Sequence, residues 1–498
     1  YKCRGISDTL KYFLRRSKVS SEWKTIHALL DRDIKVARPL AKAERRVFRC
    51  LMDSYLITEA LVNARPLGDY LKSLSTKSSL QGTFESRRSV IEKVAGIISK
   101  IHQEGFFYRD LHAGNILVHT RKDGSVQIYP IDFHKVWHFK RLPLWMRVRD
   151  LAQLKNSLNL SQTDQLRFLK SYSTKSPVLS EGFKDIVKKI NKKAAKLWGV
   201  HLKSRTKRCL VESSEFSVKN AYGMSLYFRK IYSQSFIMEI LRTYDAGNAS
   251  SQVTVLKNTN KQVVSTVSIA GHEVPPAKRV LVKESRVFGL TNKLFQTLTR
   301  SRAKRAWIAA RGLQVRGLNT PSGLALIEMK QFGLITRTIL INEFIENAHE
   351  LNDFVIKYFK DKSTKSHVFN KDSFISHLAQ TLRKLHDSGI YHADLKSNNI
   401  LVNLDDNNTI HFYFVDLDRV HFKGQLSFEQ MANNLAQINA SIADCITPRD
   451  RLKFFRIYAE GTSRMINRKR YFKRIVEIGR KKNTRPYGLT ISNPLNTT

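Results

Sequence analysis

The chain has 498 residues, with 86 Lys and Arg against 42 Asp and Glu, for a formal net charge of +44. That length has room for two to four domains, 42% hydrophobic residues can fill sizeable cores, and no apolar run approaches the ~18 residues of a membrane-spanning helix. Four scattered cysteines (Cys3, Cys50, Cys209, Cys445) form no Cys-x-x-Cys pair, which argues against a disulfide framework or a zinc site and fits reduced cytosolic thiols.

In chain order, Tyr55–Ala60 reads as a strand running out at Glu59, and Ile101-His102-Gln103-Glu104-Gly105 leads into Tyr108-Arg109-Asp110-Leu111-His112-Ala113-Gly114-Asn115. A hairpin follows: Ile116-Leu117-Val118, a turn at Asp123-Gly124 and Val126–Tyr129, with Asp132 just beyond it. Arg149-Asp150-Leu151-Ala152-Gln153 comes next, then a basic stretch over 182–208. A second series opens at Arg208–Ser213. It holds strands at Val253–Lys257 and Val263–Val267 around a turn at Asn258–Asn260, Val280-Leu281-Val282-Lys283, and Ala303–Trp307. Ile339–Phe344 then carries Glu343, and Leu385-His386-Asp387-Ser388-Gly389 leads into His392-Ala393-Asp394-Leu395-Lys396-Ser397-Asn398-Asn399. Strands at Ile400–Val402 and Ile410–Phe414 precede Asp416, Asn433–Gln437 follows, and a second basic stretch spans 464–485.

The frame Asp-x-x-x-x-Asn therefore occurs twice, and a second Asp follows the Asn after 17 residues each time (132 − 115 and 416 − 399). Phosphoryl transfer needs a carboxylate to orient the acceptor hydroxyl and take its proton, and oxygen ligands for the metal on the ATP phosphates. Mg²⁺ takes such hard oxygen ligands in an octahedral shell. Asp110 and Asp394 are the base candidates; Asn115 with Asp132, and Asn399 with Asp416, are the metal-ligand candidates. One copy of the frame has little specificity. Two copies with matching strands, lead-ins and second Asp are specific. The offset of 284 (394 − 110) also aligns Glu22-Trp23 with Ala306-Trp307 and Glu59 with Glu343, so a whole domain is duplicated. Trp23 and Trp307 read as helix core residues.

These motifs resemble the lipopolysaccharide kinase (Kdo/WaaP) family, over nearly the whole chain as two tandem copies. The resemblance implies an α+β fold of two protein-kinase-like bilobal domains, roughly 1–202 and 203–498, the first without its initial strands. It implies that Lys283 holds the ATP phosphates, that Lys2 is the corresponding lysine of the first half, and that Glu22 pairs with it. Glu59 and Glu343 would lie where the strand enters the adenine-binding hinge. Lys396, replaced by His112 in the first half, would reach the transferring phosphate; the other reading of His112 is a turn capped by its own backbone. ATP and Mg²⁺ are the implied cofactors.

Several departures bear on this expectation. Ala306 stands in place of the helix glutamate, neither half has a Gly-x-Gly-x-x-Gly loop, and Tyr1 is no natural start, so the sequence reads as a fragment. Asp150 follows Asp132 by only 18 positions (150 − 132), too few for a long regulated activation segment, and Ala393 replaces the arginine of regulated kinases. A small acceptor fits better than a protein.

Charge concentrates in 182–208 and 464–485, each with ten Lys or Arg against a single acid, Asp185 or Glu477. Both read as amphipathic helical tails suited to an anionic membrane surface. A nucleic-acid partner is the rival for such a charge, but no helix-turn-helix, zinc finger or RNP-type run supports it. The expected function is phosphorylation of a sugar hydroxyl on a lipopolysaccharide or lipid-linked sugar acceptor, by a protein peripheral to the inner face of the cytoplasmic membrane. A tandem pseudokinase scaffold and an aminoglycoside-type phosphotransferase are the alternatives.

Overall fold

The computed structural model describes residues 12, 16–48, 50–76, 80–121, 123–158, 160–174, 182–247, 251–269, 279–360, 370–460 and 468–483. The chain divides into two compact units, Tyr1–Val200 and His201–Thr498. Lys2 lies outside the described residues, as do Arg464 and Arg485 of the second basic stretch.

In the second unit a seven-stranded antiparallel sheet forms the small lobe. Its spatial order is 253–259, 262–268, 279–286, 334–343, 323–331, 224–229, 216–221. Side chains alternate across a strand, and Arg279–Arg286 uses both faces. Val280 and Val282 pack with helix Gln234–Ala246, while Leu281, Lys283 and Ser285 face the opposite way, into a cleft. On that second face helix Arg302–Val315 packs through Ala303 and Trp307 against Leu326 and Leu340. Trp307 is buried and its indole Nε1–H donates to the Cys209 carbonyl at 2.9 Å, so it is the core residue expected. The hairpin Phe216–Arg229 and helix Gln234–Ala246 have no counterpart in the sequence reading.

The large lobe of the second unit is built around helix Lys371–Asp387, which buries Phe374, Leu378, Leu382 and Leu385. The hairpin Ile400–Leu404/Ile410–Phe414 lies beside it. The first unit repeats this lobe with helix Leu80–Gln103 and the hairpin Ile116–Thr120/Val126–Pro130. Its small lobe, among the described residues, is helix Lys18–Leu30 and the hairpin Pro39–Val47/Cys50–Thr58. Trp23 there is only half-buried, its ring tilted against His27 and under Lys42 rather than in the core.

The two basic stretches are helices, Phe183–Lys207 and Arg468–Asn483, but not free tails. Ile186 and Ile190 are buried in the first unit's core, and Tyr471, Ile475 and Ile478 in the second's. Arg474 is paired with Glu429 at 3.1 Å. Most of the apolar spacers that suggested a membrane face are spent on tertiary packing, the usual source of helix stability. Exposed lysines and arginines remain, with Trp198, Val200 and Phe472 exposed among them.

One glycine in each unit is dictated by geometry. Gly105 and Gly389 follow the long helices at φ +81° and +70°, and a Cβ on either would run into the carbonyl of Phe139 or Lys423. Those neighbours also donate back, Phe139 N to Gly105 O at 2.9 Å and Lys423 N to Gly389 O at 2.7 Å. Gly389→Ala is therefore expected to destabilise the second unit by about 2 kcal/mol or more, read as a lowered thermal midpoint; an unchanged midpoint would show that the close approach is not required.

Candidate active site

Each catalytic-type loop is irregular backbone, and buried irregular backbone must find hydrogen-bond partners. In the first unit the buried Asp150 carboxylate accepts from Tyr108 N at 2.7 Å and from His102 Nε2 at 3.3 Å, while His102 Nδ1 meets the Tyr172 hydroxyl at 2.8 Å. In the second, Asn434 Nδ2 donates to the His392 carbonyl at 2.5 Å, its Oδ1 meets His386 Nε2 at 3.1 Å, and His386 Nδ1 meets the Tyr458 hydroxyl at 2.6 Å. Ser157 and Ser441 repeat a further prop, accepting from Ala113 N and Ser397 N at 2.8 Å each. Asp150 and Asn434 were visible in the sequence as members of the matching stretches, and His102 and His386 as members of the lead-ins; for Ser157 and Ser441, which were missed, the 284 offset was the available signal.

The aspartates beyond the hairpins, Asp132 and Asp416, both sit in the left-handed region at φ 65° and 54°. That conformation is uncommon outside glycine and tends to persist where function holds it. Asn115 and Asn399 are buried, and each amide donates back to its loop: to Asp110 O at 3.1 Å and to Asp394 O at 2.7 Å. The amide oxygens are left for another ligand.

The two units differ at the acids themselves. In the first, Asp110 is held by Lys135 Nζ at 2.6 Å and Gln153 Nε2 at 3.1 Å. Burial pushes its carboxyl up, but Lys135, His112 and Gln153 outweigh that and hold it below the usual carboxylate range. Asp132 is paired with His134, and His112 Nδ1 accepts from Gly114 N at 3.1 Å, which makes His112 a turn cap. In the second unit Gln437 turns to Ala393 O and Leu395 N instead. Asp394 keeps only Asn399 Nδ2 at 3.4 Å and Lys396 at 3.5 Å. Asp416 has no hydrogen-bond or ion-pair partner among the described residues.

Lys283, Asp394 and Asp416 line one cleft of about 460 Å³, together with Lys261, Arg302 and Asn342. That volume lies in the range of small-molecule sites. Ala306 is also in its wall, so the helix glutamate is missing where it would meet Lys283. In the first unit Glu22 is buried and accepts from Phe133 N at 2.9 Å, tying its helix to the residue after Asp132. In the second unit Arg305 makes the corresponding tie, donating to the Asp418 carbonyl at 3.1 Å. A buried ion pair, Lys304–Glu328 at 2.8 Å, fixes the helix to the sheet. Burial and the neighbouring Asp416 push the Asp418 carboxyl up.

Glu343 ends strand Leu334–Glu343, and Glu59 follows strand Cys50–Thr58. Glu343 N donates to Ser322 O at 2.8 Å and its carboxylate accepts from Ser322 N at 3.3 Å, beside Tyr413 and away from the cleft. Its neighbour Asn342 faces the cleft. Glu59 is exposed, with its N–H on Arg38 O at 2.8 Å.

The Asn399 amide oxygen and the Asp416 carboxylate are hard oxygen donors of the type that suits Mg²⁺.

The profile of the lipopolysaccharide kinase (Kdo/WaaP) family matches residues 5–172 and 282–458, more than half of the chain, and the chain belongs to that family. The lipopolysaccharide core heptose(I) kinase WaaP of Pseudomonas aeruginosa is 27% identical over 157 residues, 30% of this chain and 58% of that protein. The chain thus spans a little over half the length of this relative. Among solved structures, WaaP in complex with acyl carrier protein aligns at 18% identity over 47% of this chain and 88% of that one, with a TM-score of 0.34. The Rio2 kinase–ADP/Mg²⁺–phosphoaspartate complex from Chaetomium thermophilum aligns at 14% over 68% and 96%, with a TM-score of 0.27.

Two outcomes follow from this geometry. Asp416→Asn removes the carboxylate of a hard-cation pair, so the Mg²⁺–ATP thermal shift should shrink, while Asp132→Asn should leave it unchanged. Burial pulls the His386 imidazole down to about 4, against about 6.5 in the unfolded chain. Between those values the unfolded chain holds the extra proton, so stability is full above pH 6.5 and falls as pH drops toward 4. His386→Gln should flatten that acid limb in pH-dependent thermal denaturation; an equally steep limb would remove His386 as its source.

Proposed function

We propose that the second unit is an ATP- and Mg²⁺-dependent kinase that phosphorylates a sugar hydroxyl of a lipopolysaccharide inner-core precursor. The observation that carries this reading is the cleft that gathers Lys283, Asp394 and Asp416, with Asp416 unpaired among the described residues and Asp394 held only by Lys396 at 3.5 Å and Asn399 at 3.4 Å. In the first unit Lys135 and His134 occupy the two matching acids, so we read that unit as a partner that does not transfer phosphate.

Asp394 is the base: it orients the acceptor hydroxyl and takes its proton. Lys396, 3.5 Å from its carboxylate, offsets charge on the transferring phosphate. Lys283 holds the nucleotide phosphates, with Lys261 at the adjoining hairpin tip supplying charge where a glycine loop would supply backbone N–H groups. Asn399 and Asp416 hold the metal, which when bound neutralises phosphate charge. The Asn342–Glu343 segment contacts the base through backbone. The name of the Pseudomonas relative favours a heptose as acceptor. Among the described residues no helix is long and apolar enough to cross a membrane; attraction of this basic protein to anionic lipid at the inner face of the cytoplasmic membrane accounts for access to a lipid-linked sugar.

Ala306 favours a second reading, a pseudokinase scaffold. Phosphate transfer from labelled Mg²⁺–ATP to purified lipopolysaccharide decides between them. Asp394→Ala should lower transfer by about 10²–10⁴-fold, the usual weight of a general base, with nucleotide binding retained. Asp110→Ala should leave it at the wild-type rate. Transfer surviving Asp394→Ala would overturn the assignment, transfer to aminoglycosides alone would move the acceptor class, and no transfer by the wild type would leave the scaffold.

A further inference from the structure

Helix Leu290–Thr299 of the second unit lies between the strand that carries Lys283 and helix Arg302–Val315. It is amphipathic but reversed. Lys293, Gln296 and Thr297 are its half-buried residues, and Thr297 Oγ1 accepts from Ile335 N of the sheet at 3.0 Å. Leu290, Leu294 and Leu298, spaced i, i+4, i+8, point to solvent with Phe295 beside them, and the helix buries no residue at all. Leu290 and Leu298 are 72% and 76% exposed. A short helix normally gains its stability by burying the apolar face; here the polar face meets the protein.

The same end of the sheet carries two aromatic hairpin tips. Tyr222 and Phe332 are fully exposed and sit at φ 47° and 49°, each followed by a glycine. Lys330 N donates to Gly223 O at 2.7 Å, which joins the two tips, and Phe332 lies three residues before Ile335. Bulky side chains are poor choices at positive φ, where Asn and Gly are favoured. The choice also recurs: Phe48, at the matching hairpin tip of the first unit (332 − 284), is exposed at φ 45°. A strained turn that keeps an exposed phenylalanine in both copies points to a use for the ring.

Charge identifies the occupant. Between Glu284 and Glu328 the sequence has no acid and eight basic residues, Arg286, Lys293 and Arg300 among them. An exposed apolar helix and aromatic tips inside a field of cations match the headgroup boundary of an anionic bilayer. The surface adjoins the cleft, since Phe288, Asn292 and Gln296 line it with Asp394 and Asp416.

We propose that this end of the sheet is a membrane-docking surface: helix Leu290–Thr299 with Tyr222 and Phe332 enters the interface of an anionic bilayer and sets the mouth of the cleft against it. Its purpose, delivery of a lipid-linked acceptor, rests on the kinase reading; the docking rests on the exposed apolar side chains and the surrounding charge.

The test is co-sedimentation of the full chain with phosphatidylethanolamine–phosphatidylglycerol vesicles, and with phosphatidylcholine alone as the neutral control. The triple variant Leu294→Ser, Phe295→Ser, Leu298→Ser should bind anionic vesicles at least ten-fold more weakly, and Phe332→Ser should weaken binding in the same direction. Thermal midpoint and Mg²⁺–ATP shift should be unchanged, since these side chains touch neither core nor cleft. A control variant with Lys469, Arg470, Lys473 and Arg474 changed to Gln should lose less than the triple variant. Wild-type affinity in the triple variant overturns the proposal, as does a wild type that ignores vesicles, or a wild-type dimer that the triple variant dissociates. A wild type that docks through this surface yet transfers no phosphate keeps the docking and removes the kinase reading.

Discussion

The polar post beneath the catalytic loop is the constraint on which both units depend. The loop that carries the Asp and the Asn is irregular backbone, so its polar groups need partners inside the lobe. A side chain from the following helix supplies them, Asp150 to Tyr108 N and Asn434 to the His392 carbonyl, and a buried His–Tyr pair holds that side chain in turn. A buried network of this kind costs stability where a member is left unsatisfied, as Asp150 Oδ1 is in the first unit. The network recurs as a set in both units, while the side chains around Asp110 and Asp394 differ.

The first unit retains the scaffold and changes what faces the cleft. Its post is ionisable: burial pushes the Asp150 carboxyl up against the pull of His102. The second unit replaces that acid with Asn434 and so carries a neutral post. At the helix the exchange runs the other way. Glu22 ties the first unit's helix to Phe133 N, whereas the second unit lacks that acid and uses Arg305 on the Asp418 carbonyl and the Lys304–Glu328 pair. Two different side chains thus meet one mechanical need, to fix the helix against the loop that carries the metal-type aspartate. The electrostatic need, a partner for Lys283, is left to whatever anion enters the cleft.

Much of this was legible in the sequence because duplication turns weak motifs into a strong one. The 284 offset located both loops, both distal aspartates and Trp307 before any contact was known. What failed was direction. Hydrophobic spacing identified apolar faces on 182–208 and 464–485, but spacing does not say what covers a face, and Ile186, Ile190, Ile475 and Ile478 turned out to be covered by their own lobes. Helix Leu290–Thr299 has the same kind of pattern with the opposite outcome, because the strand edge at Ile335 took its polar side. Glu343 shows a related limit: its position at a strand end can be read from sequence, but not that its carboxylate turns to Ser322.

The excess of positive charge acquires a meaning once the acids are located. Many of the acids are consumed locally: Glu284 by Arg337 and Arg286, Glu328 by Lys304, Glu429 by Arg474. Pairs that are exposed contribute little to stability, so the unpaired lysines and arginines are not there to hold the fold. Their effect is a field. It decays over about 8–10 Å at physiological salt, which is enough to draw in a phosphate-bearing acceptor and an anionic surface but not to orient them. Orientation has to come from short-range features, and the second unit has two at one end of its sheet: a cleft whose acids are poised among Lys261, Lys283 and Arg302, and beside it apolar side chains facing water. On the proposed reading, long-range charge gathers the partners and the small asymmetric apolar surface sets their angle, a selectivity that net charge alone does not give.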